Sequence, residues 1–217
     1  MFKPGSWINR NRHNRGFGIQ SPSAFFFITQ VLREKLPYYA YDELDCIAAE
    51  CGEMKRKTCR RLFRIANDTM PANAIITGSV TAACAIGSAH PRIPKTLLTE
   101  RSAIPANATR HLNACSCSHK KGDTLQLLKE RLQCDNVIGI LYIGEECRQK
   151  EILETAFEHT NKESVIIVEG IHRSKECSEW WQKAVANPKT IVTYDMYSMG
   201  ILFFNDERQK QNYTLKL

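Results

Sequence analysis

Thr190-Ile191-Val192-Thr193-Tyr194-Asp195-Met196-Tyr197-Ser198-Met199-Gly200-Ile201-Leu202-Phe203-Phe204 is the stretch that decides the fold of this 217-residue chain. Thr190 to Tyr194 and Ile201 to Phe204 are β-branched and aromatic runs that read as strands. Only the six residues 195–200 join them. Parallel neighbours need roughly a dozen or more connecting residues, so these two strands pair as an antiparallel hairpin.

Upstream of the hairpin, strands and helices alternate. Strand candidates are Ala74 to Thr77, Thr96 to Thr99, Leu112 to Cys117, Val137 to Ile143 and Ser164 to Val168. Apolar residues recur at helical spacing in Leu125 to Leu132, Glu151 to His159 and Lys175 to Val185. Such alternation implies a parallel sheet covered on both faces. The expected class is therefore α/β: a Rossmann-like, doubly wound, mostly parallel sheet of seven strands, closed by the antiparallel C-terminal hairpin. Nearer the N-terminus, Ser21-Pro22 opens a helix with serine as its cap and proline in its first turn. Phe25, Ile28, Leu32 and Leu36 fit its buried stripe, and Pro37-Tyr38-Tyr39 stops it. A second short helix begins at Tyr41 and a basic one follows. Residues 1–70 are expected to form an N-terminal helical extension and residues 71–217 the α/β domain.

Composition narrows the class further. An apolar share of 43% with 24% charged residues is ordinary for a globular protein, and no apolar run approaches the ~20 residues that span a bilayer. Lys3, Arg10, Arg12 and Arg15 are followed by no apolar signal region, so the cytoplasm is the expected location. Nine cysteines, an odd number without paired C-x-x-C spacing, predict reduced thiols. Cys115 and Cys117, two apart on one strand face, could begin a metal site, but no second pair lies near them and no metal is expected.

Thirty basic residues against 23 acidic ones leave a net charge of +7, with Lys55, Arg56, Lys57, Arg60, Arg61 and Arg64 clustered. On a helix these form an outer face while Cys59, Leu62, Ile65 and Ala66 meet the core. A solvated face and a site for phosphate backbones or an acidic partner both remain open. No RNA-binding signature or aromatic platform accompanies the cluster, so nucleic acid is not the expected partner. Trp7, Phe17 and Phe25 to Phe27 are more aromatic residues than one helix stripe buries, which suits a homodimer through the N-terminal segment.

Ile75-Ile76-Thr77-Gly78-Ser79-Val80-Thr81-Ala82 reads as strand, tight turn and helix start, the layout with which a doubly wound sheet builds a nucleotide crevice. It holds a single glycine, and a plain turn is the alternative.

Five alternating units closed by such a hairpin resemble the class I methyltransferases that use S-adenosylmethionine, whose seventh strand inserts antiparallel into a parallel sheet. Gly18-Ile19-Gln20-Ser21-Pro22, Pro37-Tyr38-Tyr39-Ala40-Tyr41-Asp42-Glu43, Tyr194-Asp195-Met196 and Gly200-Ile201-Leu202-Phe203-Phe204 look like one bacterial group of methyltransferase-like proteins with an N-terminal helical extension. That group usually has histidine where this chain has Gln20 and phenylalanine where it has Ser23. The likeness spans nearly the whole chain and is weakest in the middle. There the resemblance implies an acid two residues before Gly78, where Ile76 stands, and a second glycine, where Ala82 stands. Gly78 and Ser79 keep the donor loop.

Glu100 matches the acid that accepts ribose hydroxyls, with an exposed strand-end charge as the alternative. Asp123 in Gly122-Asp123 resembles the acid that contacts the adenine amino group, and a helix N-cap is equally consistent. At the fourth strand the group reads Asp-Gly-Asn-His, whereas this chain has Ile143-Gly144-Glu145-Glu146. The offset carries a carboxylate ~6 Å away, so a solvated loop is the alternative for both glutamates. Glu169-Gly170-Ile171-His172 matches a paired acid followed by Ile-His and implies Glu169 and His172 as the general-base pair. His172 could instead cap the helix that carries Trp180 and Trp181.

Two functional readings result. One is a small-molecule O-methyltransferase with S-adenosylmethionine held by Gly78, Ser79, Glu100 and Asp123, and with Glu169 or His172 assisting the acceptor. The other is a non-catalytic protein on the same fold that binds a partner through its N-terminal aromatics and basic helix. Ile76 and Ile143 both filling the donor pocket would favour the second.

Overall fold

A computed structural model describes residues 18–134, 136–145 and 148–216. Lys3, Trp7, Arg10, Arg12, Arg15, Phe17, Glu146 and Cys147 lie outside the described residues. One sheet organises the chain: β1 (Ala74–Thr77), β2 (Lys95–Thr99), β3 (Cys117–Lys121), β4 (Ile140–Ile143), β5 (Val165–Glu169), β6 (Val192–Asp195), β7 (Met199–Phe203) and β8 (Gln211–Thr214), in the order β3-β2-β1-β4-β5-β7-β6-β8. The first five strands run parallel, and β7 lies antiparallel between β5 and β6. Met196-Tyr197-Ser198 turns the hairpin, with Tyr197 at φ 72°. The short connection thus decides the pairing as the chain length demands.

Seven strands are expected and the described residues form eight. β8 is a polar four-residue edge strand with no alternation to read; it pairs parallel with β6 and stacks Tyr213 on Tyr194 at 5.3 Å. A second correction concerns β3. Leu112 belongs to the preceding helix, α5 (Ala106–Ala114), and Ser116, at φ 54°, turns the chain into the strand. Cys115 and Cys117 therefore do not share a strand face, and the described residues contain no group of ligands able to hold a metal.

Side chains alternate across the sheet and separate two cores. Ile76, Leu97, Tyr142, Ile167 and Ile201 face α1 (Pro22–Phe26) with its π-helical continuation Phe27–Leu32, α2 (Tyr41–Cys51), α3 (Arg56–Asp68), α4 (Val80–Ala89) and α5. Ile75, Leu98, Leu141, Ile143, Ile166, Val168 and Leu202 face α6 (Thr124–Cys134), α7 (Gln149–Phe157) and α8 (Lys175–Ala186). Trp181 from α8 lies flat against β7, and a Cβ on Gly200 would stand 2.4 Å from its ring.

The N-terminal helices follow the sequence in part. Ser21 caps α1, its hydroxyl accepting from the Ala24 N–H at 3.4 Å. The buried stripe is Ala24, Phe27, Ile28, Val31 and Leu32, leaving Phe25 and Leu36 exposed, so the expected stripe is offset and the helix ends earlier. The basic helix also departs from the expected outer face. Arg61 and Arg64 are buried. Arg64 donates to the Val31 and Leu32 carbonyls at 2.7 and 3.1 Å and to the Tyr41 hydroxyl at 2.9 Å, capping the π-helical turn. Arg60 grips Asp45 with two hydrogen bonds, 3.0 and 2.6 Å. Burial beside Arg64 lowers the pKa of Arg61 to about 10. Among the described residues, no helix is long and apolar enough to cross a membrane.

Candidate functional site

The carboxyl ends of β1, β2, β4 and β5 collect most of the polar candidates. Gly78 follows β1 at φ 72°, a left-handed conformation that glycine adopts without strain. Ser79 next to it caps α4, accepting from the Ala82 N–H at 3.2 Å. Its hydroxyl donates to Glu53 Oε2 at 2.9 Å, and the Thr81 N–H donates to the same oxygen at 2.9 Å. The other oxygen, Glu53 Oε1, pairs with the Arg101 guanidinium. Glu53 reaches this turn from the loop after α2, which Gly52 ends at φ 67°.

One strand over, Tyr142 and Glu169 lie on the face of the sheet that Ile76 also faces. The buried Tyr142 hydroxyl donates to Glu169 Oε2 at 2.6 Å. Burial pushes the Glu169 carboxyl up to about 7, against the pull of that hydroxyl and with the negative charges of Glu145 and Glu53 adding to the rise. Gln149 ties the two strand ends together, its Nε2 donating to the carbonyls of Gly144 at 2.6 Å and Glu169 at 2.7 Å. Gln149 Oε1 and Thr77 Oγ1, both buried here, have no hydrogen-bond partner. Gly144 is pressed against β1, where an added Cβ would meet the Thr77 carbonyl oxygen at 2.8 Å.

Glu100 is exposed at the end of β2. Asp123 adopts the cap alternative, accepting from the Gln126 N–H at 2.9 Å and pairing with Arg148 at 2.9 Å. His172 engages Asp195 through Nε2 at 2.6 Å and Ser178 through Nδ1 at 3.0 Å, and its ring stacks on Tyr197. It braces the loop after β5 against the β6–β7 turn, while Ser174 is the residue that caps α8. Glu169 and His172 thus take different partners. Glu145 is exposed, leaning over Gly170 and 3.4 Å from Arg173.

Ile76 and Ile143 are both fully buried. The register sets Ile76 beside Tyr142 and Ile143 beside Thr77, so the two isoleucines point to opposite faces and pack into different cores. They do not fill one pocket together. Glu53, Arg101, Tyr142 and Gln149 have no motif to announce them. The readable signal is Gly52, which marks the end of α2 but not where the next residue reaches.

A parallel sheet with β7 inserted antiparallel between β5 and β6, and a glycine turn leading from β1 into a helix, has close matches among solved structures. The S-adenosylhomocysteine-bound Podospora anserina methyltransferase PaMTH1 aligns with a TM-score of 0.63 at 8% identity, covering 86% of this chain and 97% of that one. This is the class I methyltransferase fold. CalS11, a TDP-rhamnose 3'-O-methyltransferase of calicheamicin biosynthesis, aligns at 0.51 with 13% identity, over 95% and 97% of the two chains. MycE, a methyltransferase of the mycinamycin biosynthetic pathway seen with Mg and S-adenosylhomocysteine, aligns at 0.53 with 14% identity over 81% of this chain and 51% of its own. No protein-family model matches the sequence, and no curated protein matches it.

Proposed function

We propose that this chain transfers a methyl group from S-adenosylmethionine to a hydroxyl oxygen of a small molecule. The observation that carries this reading is the Tyr142–Glu169 pair at the carboxyl end of β5, a buried hydroxyl donating at 2.6 Å to a carboxyl that burial pushes up to about 7. A general base works best when its pKa lies near the operating pH, and few carboxyls reach that range without burial. Tyr142 occupies Oε2 and orients the group, leaving Oε1 to take the acceptor proton.

The residues present fit the donor in part. Gly78 leaves the loop backbone open, Ser79 supports the turn, and Glu100 offers an exposed carboxylate to a ribose diol. Ile76 and Ile143 offer it nothing polar, and Asp123 already serves α6. When bound, S-adenosylmethionine supplies an activated methyl group on a sulfonium, so the protein's share is alignment and proton removal. Glu169 would take the acceptor's hydroxyl proton on Oε1, with Tyr142 holding its other oxygen.

The non-catalytic reading rests on Ile76 and Ile143 standing where the resemblance implies acids, not on their filling the donor pocket, since they face opposite sides of the sheet. Calorimetry with S-adenosylmethionine separates the two. Micromolar binding that weakens at least tenfold in Glu100→Ala supports the enzyme. No heat at millimolar ligand overturns it in favour of the binding protein.

A further inference from the structure

The donor proposed above ends in an α-amino acid, with an ammonium and a carboxylate on one carbon. Beside the β1 turn, the chain itself presents one carboxylate and one guanidinium, those of Glu53 and Arg101. A carboxylate has about four lone-pair sites. Glu53 uses three of them, two on Oε2 for Ser79 and Thr81 and one on Oε1 for Arg101. The side chain remains 17% exposed, so a further donor can reach the fourth.

Arg101 is 40% exposed and has five N–H donors, spent here on Glu53 and on the Cys51 carbonyl at 3.5 Å. Its planar fork suits a second carboxylate. The support beneath is rigid, because Ser79 is buried, caps α4 and holds Glu53. Electrostatics point the same way. The negative charges of Glu53 and Glu145 both raise the Glu169 carboxyl, and a cationic group placed beside Glu53 would offset that charge.

We propose that Glu53 and Arg101 form a clamp for a zwitterionic α-amino acid head, with Glu53 accepting from its ammonium and Arg101 donating to its carboxylate. The clamp rests on the donor reading and extends it to two residues of this chain. Glu53 comes from the loop between α2 and α3, so the N-terminal helices complete the binding site.

Calorimetry with two nucleosides tests it: S-adenosylhomocysteine, and 5'-methylthioadenosine, which lacks the amino acid head. The wild-type chain is expected to prefer S-adenosylhomocysteine by tenfold or more. Glu53→Gln and Arg101→Ala should each bring the ratio toward one while leaving the affinity for 5'-methylthioadenosine unchanged. Arg101→Ala removes a half-exposed side chain and carries the test alone if Glu53→Gln does not fold. A ratio that survives in the folded variants overturns the clamp and leaves the donor reading standing. Tighter binding of S-adenosylhomocysteine by Glu53→Gln overturns it too, because Glu53 would then be a plug. Binding of neither nucleoside by the wild-type chain overturns the donor reading and the clamp with it.

Discussion

The two ends of the central strands treat their polar groups in opposite ways. At the amino ends Asn73, Ser164 and Lys95 all have work in the scaffold. Asn73 accepts from the Gly139 N–H at 3.0 Å and donates to the Val137 carbonyl at 2.9 Å. Ser164 donates to the Ile138 carbonyl at 2.6 Å, and the buried Lys95 ammonium donates to the carbonyls of His90, Pro91 and Ile93. At the carboxyl ends, Thr77 Oγ1 and Gln149 Oε1 lack partners and Glu169 keeps its proton to about 7. One edge of the sheet braces the fold, and the other holds groups at a cost that chemistry can use.

Asn73→Ala should have the largest effect. It strands the buried Gly139 N–H and removes the donor to the Val137 carbonyl, and the expected loss is about 3 kcal/mol in urea denaturation. An unchanged midpoint would break the contrast at the braced edge.

Glu169 tests the other edge through pH. The folded carboxyl holds its proton up to about 7, whereas the ordinary value is 4.5. Between those values the native state binds more protons than the unfolded one, so stability should fall as pH rises through the window and level off above it. After allowance for partial exposure the fall is about 2 kcal/mol. Glu169→Gln should flatten it, and an equally steep profile in the variant would show that another group titrates.

Thr77→Val keeps the shape and removes a hydroxyl without a partner. It should stabilise the chain by up to about 1 kcal/mol, the reverse of Asn73→Ala, as read by thermal unfolding. The smallest effect belongs to Tyr142→Phe. The hydroxyl holds the Glu169 carboxyl down, so its loss should carry the falling limb of the stability profile to higher pH.

Local signals made most of the architecture legible. β1 is bounded by Gly78, and the hairpin follows from connection length, a constraint that needs no tertiary information. Where packing decides, the sequence misleads or says nothing. The spacing of Arg61 and Arg64 describes a helix face but not the carbonyls of Val31 and Leu32 that draw Arg64 inward. Leu112 and Cys117 look like one apolar run, although a helix end and a left-handed serine lie between them. At the candidate site, Gly78, Glu100 and Glu169 stand on strand ends that can be counted along the chain. Glu53 cannot be found that way, because its 26-residue reach to Ser79 exists only once α2 and α3 dock.

The position of β7 also sets the order in which the chain can finish folding. Until Met199–Phe203 leaves the ribosome, β5 is the open margin of a nascent sheet, its Ile166 and Val168 amides facing no neighbour. Such margins recruit other chains during synthesis. The β6–β7 hairpin therefore acts as the closing seam of the sheet, and a message truncated before it would yield a sticky product rather than a smaller working protein.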